Sequence, residues 1–286
     1  MSGILYLCAT PIGNLEDMTF RAIRMLREAD LIAAEDTRNS IKLLNHFEIK
    51  TPMTSYHEFN RIEKAHQLVN QLKQGKNIAL ITDAGTPAIS DPGEDLVKIC
   101  YEAGIRVEIV PGACACVSAL ALSALPTRRF CFEGFLPADK AKRKQLLECL
   151  PEETRTIILY EAPHHLKKTL AQLNEALGNR KITLCKELTK KHETVFATTL
   201  EEALQYYEKE EPRGEYVLVI EGKSFEELEQ EERKSWLELE AKEHVALYEK
   251  QGLSRKEAMK RAAKDRGVSR REIYQELLTE SRDFCQ

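Results

Sequence analysis

Short apolar runs alternate with amphipathic segments between residues 4 and 110, and this alternation restricts the fold more than any other feature of the sequence. Short apolar runs are typical of buried strands, whereas apolar residues spaced three and four apart are typical of helices. A repeating strand–helix–strand order requires a mainly parallel sheet with helices on both faces. We predict strands at 4–9, 31–34, 77–81 and 106–110, and helices at 20–28, 61–74 and 94–103.

A predicted helix at 113–122 leads to a second set of strand and helix segments, which alternate less regularly. This irregularity favours a mixed sheet over a purely parallel one. We predict strands at 131–135, 156–160, 182–185, 194–198 and 216–220, and helices at 113–122, 140–150, 164–177 and 200–208.

The last part of the sequence is charged and typical of helices, and its charges are segregated. Residues 225–243 carry eight Glu and three Lys or Arg, whereas residues 254–272 carry eight Lys or Arg and three Asp or Glu. Ser254 and Ser269 each begin an S-x-x-E capping box, and Gly267 can end the first of two helices. The pattern predicts a helix-turn-helix-like pair. It is either a small bundle with a solvated basic face or a nucleic-acid contact, and the clustering of the basic residues favours the contact.

The chain has 286 residues, enough for two ordinary domains and an appendage. We predict an N-terminal α/β domain at 1–120, a C-terminal α/β domain at 121–223 and a helical extension at 224–286. The mean hydropathy is −0.41, and no apolar run approaches the ~20 residues that span a bilayer. Because the sequence also shows no signal-peptide pattern, we expect a soluble, cytoplasmic protein with no membrane segment.

The eight cysteines form no C-x-x-C pair, and most lie in apolar surroundings. We therefore expect free thiols in a reducing compartment instead of disulfides or zinc. Cys114 and Cys116 are too close in sequence for a usual zinc pair and have no partner pair. His164 and His165 are adjacent, so they lack the spacing of an HExxH motif. We predict no metal site.

Residues 81–93, with the sequence ITDAGTPAISDPG, carry most of the information about function. They follow an apolar strand, so they lie at its carboxyl end, where open α/β sheets bind ligands. The run contains two carboxylates and two hydroxyls among glycines and prolines, on Asp83, Asp91, Thr86 and Ser90. Glycine lets the backbone approach a ligand closely, and proline fixes the course of the loop. The composition favours a ligand-binding loop over a plain connection.

Polar or turn residues also follow four other apolar strands, at 9–14, 34–38, 110–113 and 160–164. Each segment alone is an ordinary turn, but together they outline a cleft bordered by loops, where small-molecule sites tend to lie. The cleft is not a familiar nucleotide or hydrolase site, because the sequence lacks the P-loop, GxGxxG and GxSxG motifs.

Eight short motifs, in order over about residues 3–222, match one known family together. They are TPIGNL (10–15), AEDTR (34–38), DAGTPAISDPG (83–93), VPG (110–112), FEGFLP (132–137), YEAPH (160–164), KELTKKHE (186–193) and GE (214–215). With this set the chain resembles the small-subunit ribosomal RNA cytidine-2′-O-methyltransferases, a branch of the tetrapyrrole methylase superfamily. The 83–93 motif is specific to this branch. The helical tail is similar to the C-terminal extension of the family.

The resemblance implies a two-domain tetrapyrrole-methylase-like fold that binds S-adenosylmethionine in a bent form between its domains. The acceptor that it implies is a cytidine 2′-hydroxyl of small-subunit ribosomal RNA within the assembled subunit, and it also implies a homodimer. Carried over by position, the cofactor residues are Thr10, Pro11, Asp83, Ala84, Gly85, Thr86, Pro87, Pro111, Gly112, Ala113, Cys114, Ala115, Tyr160, Glu161, Gly214 and Glu215.

The chain departs from the family pattern in two places. The family usually has Pro-Ser-Ala after Pro-Gly, and this chain has Ala113, Cys114 and Ala115, so a thiol replaces a serine hydroxyl. The common Pro-His-Arg ends in His165 here, which removes a fixed positive charge. Both changes affect the assignment of single residues and leave the fold expectation intact.

A 2′-hydroxyl must lose its proton during attack on a sulfonium methyl, so a positioned base is expected. In-line alignment alone can supply much of the rate, and a single essential base is not required. The candidate bases are the strand-end carboxylates Glu35, Asp36, Asp83, Glu161 and Glu187. We expect phosphate contacts from Arg38, Lys186 and Lys190, and from Lys256, Lys260, Arg261 and Lys264 in the tail.

Two other functions fit parts of the sequence. A methyltransferase of the same superfamily could act on a tetrapyrrole or another small acceptor, but a basic extension has no role with a porphyrin. A nucleic-acid-binding regulator without enzymatic activity could use the helix pair alone. Binding of S-adenosylmethionine separates the regulator from the enzymes.

Overall fold

The structure is a computed structural model that describes residues 2–283, without the side chains of residue 232 and of 279–283. The chain forms two compact units. The first runs to Pro151 and continues over Arg155–Glu221, and the second contains Glu152–Thr154 and the chain from Gly222 onward. Both sheets lie in the first unit. The predicted boundary between 1–120 and 121–223 stays a prediction.

The described chain contains strands and α-helices with the following bounds. The strands are β1 (Ile4–Cys8), β2 (Leu31–Ala34), β3 (Met53–Ser55), β4 (Ile78–Ile81), β5 (Arg106–Val110), β6 (Phe130–Phe135), β7 (Thr156–Glu161), β8 (Lys181–Lys186), β9 (Thr194–Thr199) and β10 (Tyr216–Ile220). The helices are α1 (Phe20–Glu28), α2 (Thr37–His46), α3 (Arg61–Lys73), α4 (Gly93–Glu102), α5 (Ala115–Leu122), α6 (Lys140–Cys149), α7 (Pro163–Leu177), α8 (Leu200–Lys209), α9 (Phe225–Glu238), α10 (Ala241–Lys250), α11 (Arg255–Arg266) and α12 (Arg270–Asp283).

The first sheet is parallel throughout, in the strand order β3-β2-β4-β1-β5. Successive residues of a strand face opposite sides of the sheet. Leu5 and Leu7 of β1 therefore lie in the core that α3 and α4 cover, whereas Tyr6 and Cys8 lie in the core that α1 and α2 cover. This confirms the predicted parallel sheet between two helical layers. It also brings the carboxyl ends of all its strands to one edge.

The second sheet is mixed, as predicted, in the order β6-β7-β10-β8-β9. Strands β6 and β7 are parallel, and β10 runs antiparallel to both β7 and β8. Leu159 of β7 faces the core formed with α6, α7 and α8, and Ile158 faces α5. Helix α5 thus follows the first sheet in sequence but packs on the second sheet, through Cys116, Ala119 and Leu120.

The second unit is a helical bundle of α9 to α12. Ser254 accepts a hydrogen bond from the Glu257 amide, and the Glu257 side chain bonds back to the Ser254 amide, so this capping box is confirmed. Gly267 ends α11 in the left-handed conformation, at φ 69°, where glycine is favoured. Apolar residues of α10, α11 and α12 form its core. None of the helices in the described part of the chain has the length and apolar character needed to cross a membrane.

The predicted helices and strands are confirmed, with ends that differ by at most two residues. Sequence analysis missed α2 and β3. Strand β3 has only three residues, which is too short for a recognisable period. Helix α2 begins beside the 34–38 motif because the Asp36 carboxylate accepts a hydrogen bond from the Arg38 amide. Asp36 was assigned to a loop from the sequence, and it is the N-cap of a helix.

Leu68 of α3 lies in the core against the first sheet and is 0% exposed. Ile62 on the same helix is 53% exposed. Leu68→Ala should lower the free energy of unfolding by about 3 kcal/mol, because it leaves a cavity in a packed core. Ile62→Ala should cost less than about 1 kcal/mol. Chemical denaturation of both variants measures the difference. Equal costs would contradict the assignment of Leu68 to the core.

Candidate functional site

A cavity of about 400 Å³ lies in the first unit, beside the polar loops that follow the carboxyl ends of several strands. Its wall includes Glu35 after β2, the loop after β4, and the first residues of α5. The second sheet contributes the carboxyl ends of β7 and β8 and the start of β10. The start of β10 lies beside the carboxyl ends of β7 and β8 because β10 runs antiparallel to both strands. Tyr216 therefore pairs with Glu161 on one side and with Lys186 on the other. The predicted convergence of strand-end loops on one cleft is therefore present.

The loop after β4 is held in shape by Asp91. One oxygen of its carboxylate accepts hydrogen bonds from the amides of Ala88, at 3.0 Å, and Gly93, at 2.7 Å. Ala88 and Ser90 have left-handed backbone conformations, at φ 67° and 65°. Such conformations cost energy and persist only where surrounding contacts impose them. Asp91 therefore organises the loop, and its other oxygen is buried in the cavity wall with no hydrogen-bond partner among the described residues.

A two-residue bridge ties this loop to the loop after β1. The Thr10 amide donates to the Gly85 carbonyl at 2.8 Å, and the Gly85 amide donates to the Thr10 carbonyl at 3.1 Å. Gly85 has a φ of 85°, and a side chain there would also approach Ile12 at 3.3 Å. Thr10 is buried behind the loop, and Ile12 lines the cavity.

Three carboxylates lie together on the side of the first sheet. The Asp83 carboxylate accepts hydrogen bonds from the Asp36 amide at 3.1 Å and the Asn39 amide group at 3.4 Å. Burial raises the pKa of Asp83, and the nearby Glu35 raises it further, against the effect of these hydrogen bonds. Glu35 accepts a 2.6 Å hydrogen bond from the Thr82 hydroxyl. Asp83 and Glu35 both line the cavity.

Asp36 differs from its two neighbours. Hydrogen bonds from the Arg38 guanidinium, together with the Arg38 amide, lower the pKa of Asp36 to about 2. A carboxylate with so low a pKa is a weak proton acceptor. Asp36 is therefore the poorest of the candidate bases in this group.

Lys190 bridges two carboxylates on the side of the second sheet. Its ammonium lies 2.9 Å from Glu187 and 2.8 Å from Glu215, and the Glu187 carboxylate also accepts the Glu215 amide. Burial opposes ionisation of Glu187, but these hydrogen bonds outweigh it and lower the pKa of Glu187. A Cβ at Gly214 would lie 2.4 Å from the Glu187 side chain, so only glycine fits there. Lys190 is thus an ion-pair partner within the wall.

Glu161 and Tyr160 end β7 in the cavity wall. The two Glu161 oxygens accept hydrogen bonds from the Thr169 hydroxyl and the Ala162 amide, so this buried carboxylate holds the start of α7. The Tyr160 hydroxyl accepts a 3.2 Å hydrogen bond from the Cys116 amide. Its ring contacts Phe132 and Phe135 edge-on. Tyr160 therefore links the second sheet to the first turn of α5.

Cys114 and Cys116 are neighbours in this first turn. Their sulfur atoms lie 3.4 Å apart, and Cys114 is the N-cap residue of α5. A hydrogen bond from the Cys116 thiol lowers the pKa of Cys114, against the effect of burial. The same contact raises the pKa of Cys116, which burial raises further. The pair therefore favours the thiolate on Cys114 over that on Cys116.

The structure separates the residues predicted for the site into two groups. Those in the cavity wall are Glu35, Asp83, Ala84, Gly85, Thr86, Cys114, Ala115, Tyr160, Glu161, Glu187, Lys190 and Glu215. Those beside or behind the wall are Thr10, Pro11, Asp36, Arg38, Pro87, Pro111, Gly112, Ala113, Lys186 and Gly214. The cofactor, catalytic and RNA-contact roles given to all of them stay predictions.

Sequence analysis did not assign the apolar part of the wall to the site. Ile12, Ile89, Phe135, Leu188 and Val217 line the cavity. Most of these apolar residues belong to the motifs quoted above. An apolar residue fits a buried core as well as a cavity wall, so the sequence alone does not assign it to the site. Among the described residues, His, Cys, Asp and Glu side chains form no group of three that could hold a metal ion.

Four basic residues of the second unit are exposed on one side of α11. Lys256, Lys260, Arg261 and Lys264 are solvent-exposed, and the intervening Ala258, Met259, Ala262 and Ala263 are buried. Arg261 also lies over the Tyr248 ring, at 5.6 Å. Arg266 is different, because it is buried and donates to His244 and to the Leu239 carbonyl. Four cations are thus available on one helical face.

Two sheets whose strand-end loops meet at one cavity, with carboxylates and apolar side chains in its wall, define an α/β enzyme with a small-molecule site. Residues 5–204 match the tetrapyrrole (corrin/porphyrin) methylases, and the chain belongs to this family. This confirms the family and the fold class predicted from the motifs.

Named relatives align with almost the whole length of the chain. The chain is 50% identical over 272 residues to "Ribosomal RNA small subunit methyltransferase I" of Bacillus subtilis, an alignment that covers 95% of the chain and 93% of the relative. It is 51% identical over 272 residues to the protein of the same name from Halalkalibacterium halodurans, with the same coverage.

Solved structures share the fold at low identity. Diphthine synthase has a TM-score of 0.60 at 15% identity, covering 79% of this chain and 94% of that one. Uroporphyrin-III-C-methyltransferase from Thermus thermophilus has a TM-score of 0.55 at 22% identity, covering 76% and 94%.

Proposed function

We propose that the chain transfers the methyl group of S-adenosylmethionine to the 2′-hydroxyl of a cytidine in small-subunit ribosomal RNA. The observation that carries the proposal is the 50% identity, over 95% of the chain, to a relative named as a small-subunit ribosomal RNA methyltransferase. The cavity supports it because its volume lies in the range of cofactor sites. A homodimer and the assembled subunit as substrate are further predictions from the resemblance, and a cytoplasmic location is a prediction from the sequence pattern.

The cavity wall fits S-adenosylmethionine in chemical terms. Asp83 forms no salt bridge among the described residues, and one oxygen of Asp91 is buried without a partner within the described chain. Both can accept hydrogen bonds from hydroxyl or ammonium groups. Ile12, Ile89 and Leu188 offer apolar surface for an adenine ring. When bound, S-adenosylmethionine supplies an electrophilic methyl group on a positively charged sulfur.

The acidic side of the first sheet is the best placed to accept the proton of the 2′-hydroxyl. The raised pKa of Asp83 makes it a better proton acceptor than Asp36, whose pKa is about 2. Both oxygens of Glu161 accept hydrogen bonds that hold α7, and the contacts with Lys190 and the Glu215 amide lower the pKa of Glu187, which weakens it as a proton acceptor. We therefore infer that Glu35 and Asp83 are the stronger candidates, and that the wall otherwise acts by aligning the reacting groups.

A nucleoside digest tests the reaction itself. The purified chain should methylate small subunits, or RNA prepared from them, taken from a strain that lacks the corresponding gene. The digest should contain a cytidine that is heavier by one methyl group on its ribose, and the adjacent linkage should resist alkali because its 2′-oxygen can no longer attack phosphorus. A methyl group on the base, or transfer to a tetrapyrrole and not to RNA, would refute the proposal.

Asp83→Ala tests the cofactor site. The variant should bind S-adenosylmethionine at least about ten-fold more weakly, a loss of about 1.4 kcal/mol, because a polar contact in the wall is removed. Its thermal unfolding should stay close to that of the parent, since the side chain is outside the core. Asp17→Ala, at an exposed carboxylate outside the cavity wall, is the matched control. Titration calorimetry gives the affinities, and equal affinity in folded Asp83→Ala would rule out the assignment.

The exposed cations of α11 predict a separate role in RNA affinity. Changing Lys256, Lys260, Arg261 and Lys264 to Glu should raise KM for the ribosomal substrate and flatten its salt dependence, because phosphate contacts are lost. Binding of S-adenosylmethionine should not change.

The control for this charge reversal is an equal change of net charge in the first unit, with Glu at the exposed positions Lys42, Lys50, Lys73 and Lys98. It should affect KM much less. If both quadruple variants raise KM to the same extent, the net charge of the chain accounts for the effect and α11 has no special role.

A further inference from the structure

The cysteine pair at the start of α5 lies beside the cavity, and the proposed reaction does not use its thiol chemistry. Cys114 is extended, at φ −145° and ψ 110°, and the helix begins at the next residue, which brings the two sulfur atoms to 3.4 Å. Cys114 lines the cavity, whereas Cys116 is only 5% exposed. The pair therefore joins the cofactor cleft to the core beneath it.

Three other buried cysteines have no such chemistry. Cys8, Cys100 and Cys185 lie in apolar cores, and burial raises the pKa of each, to about 12, 11 and 11. They are protonated at neutral pH and unreactive. Cys114 is the opposite case, because its thiolate accepts hydrogen bonds from the Cys116 thiol and from amides of the first turn. It has a second thiol within reach.

We propose that Cys114 and Cys116 form a redox-modification site, in which a hydroperoxide converts the dithiol into a disulfide and thereby closes the cleft to S-adenosylmethionine. The second half of this proposal rests on the proposed function, since it requires the cleft to be the cofactor site.

The chemistry is a two-electron oxidation in two steps. The Cys114 thiolate attacks the peroxide oxygen, which gives a sulfenic acid and releases hydroxide or alkoxide. The Cys116 thiol then attacks the Cys114 sulfur, an S–S bond forms, the S–O bond breaks, and its oxygen leaves as water. The two thiols lose two electrons and two protons, and the hydroperoxide is reduced to water or to an alcohol and water. An external dithiol reverses the modification.

Closing the disulfide must move the wall of the cavity. The sulfur atoms have to approach from 3.4 Å to a bond length of about 2.05 Å. The same turn carries the Cys116 amide that bonds to Tyr160 and the Ala113 carbonyl that accepts the Thr86 hydroxyl. Tyr160, Thr86 and Cys114 all line the cavity. A shift of this turn therefore changes three of its surfaces together.

The test compares the reduced chain with the chain treated with hydrogen peroxide. Intact mass should fall by two hydrogen atoms, and a peptide digest should contain a crosslink between Cys114 and Cys116. Titration calorimetry should show affinity for S-adenosylmethionine reduced by at least about ten-fold, and dithiothreitol should restore it. The crosslinking rate should rise as the Cys114 thiolate forms, at a pH below the ordinary range of a cysteine thiol, because the contact with Cys116 lowers the pKa of Cys114.

Three variants serve as controls, each compared with its own reduced form. Cys149→Ala removes an exposed cysteine and should retain the full effect. Cys114→Ala and Cys116→Ala cannot form the crosslink, and Cys116→Ala should instead gain one oxygen that dimedone traps. Alanine is chosen at 116 because a serine hydroxyl would be buried there.

Two results would overturn the proposal. One is peroxide treatment that oxidises Cys149 without a crosslink between Cys114 and Cys116, and the other is a crosslinked chain with unchanged affinity. If the reduced chain does not bind S-adenosylmethionine, the proposed function is contradicted, and with it the half of the proposal that concerns cofactor affinity. The mass measurement still decides whether the disulfide forms, so the two failures can be distinguished.

Discussion

The backbone bridge between Thr10 and Gly85 is the constraint on which the rest of the site depends. It fixes the loop after β4 against the loop after β1, and Asp91 then sets the remaining turns of the same loop. The loop after β1 in turn contacts the second sheet, because the Asn14 amide bonds to the Thr189 hydroxyl at 3.0 Å. Gly13 permits this contact, since a Cβ there would meet Lys190 at 2.4 Å. A cavity wall made by two sheets is therefore held by main-chain hydrogen bonds and close glycine contacts.

The charges of the cavity wall are arranged differently on its two sides. Lys190 compensates Glu187 and Glu215 on the side of the second sheet, which lowers the pKa of Glu187. Asp83 forms no salt bridge among the described residues, and burial raises its pKa. A cationic methyl donor is therefore best matched by the first side, and ion pairing keeps the second side in a fixed geometry.

Much of this arrangement could be predicted from the sequence, and the remainder has identifiable physical causes. Apolar periodicity located β1 and β4, and turn chemistry located the loop that holds Asp83. Lys190, for which we predict a phosphate contact, lies 2.8 Å from Glu215, a partner 25 positions away that no local pattern indicates. Thr10, for which we predict a cofactor contact, is joined to Gly85 by the backbone bridge and lies outside the cavity wall. Both roles stay predictions. Local patterns identify strand ends, whereas contacts between distant segments decide which side chain reaches the cavity.

The central claim is that the cavity between these loops is the cofactor site. A crystal structure of the chain with S-adenosylhomocysteine tests it most directly. The account predicts ligand density in the cavity, in contact with the 83–86 loop and with Tyr160. Density for the ligand elsewhere on the chain, with this cavity filled only by solvent, would contradict it.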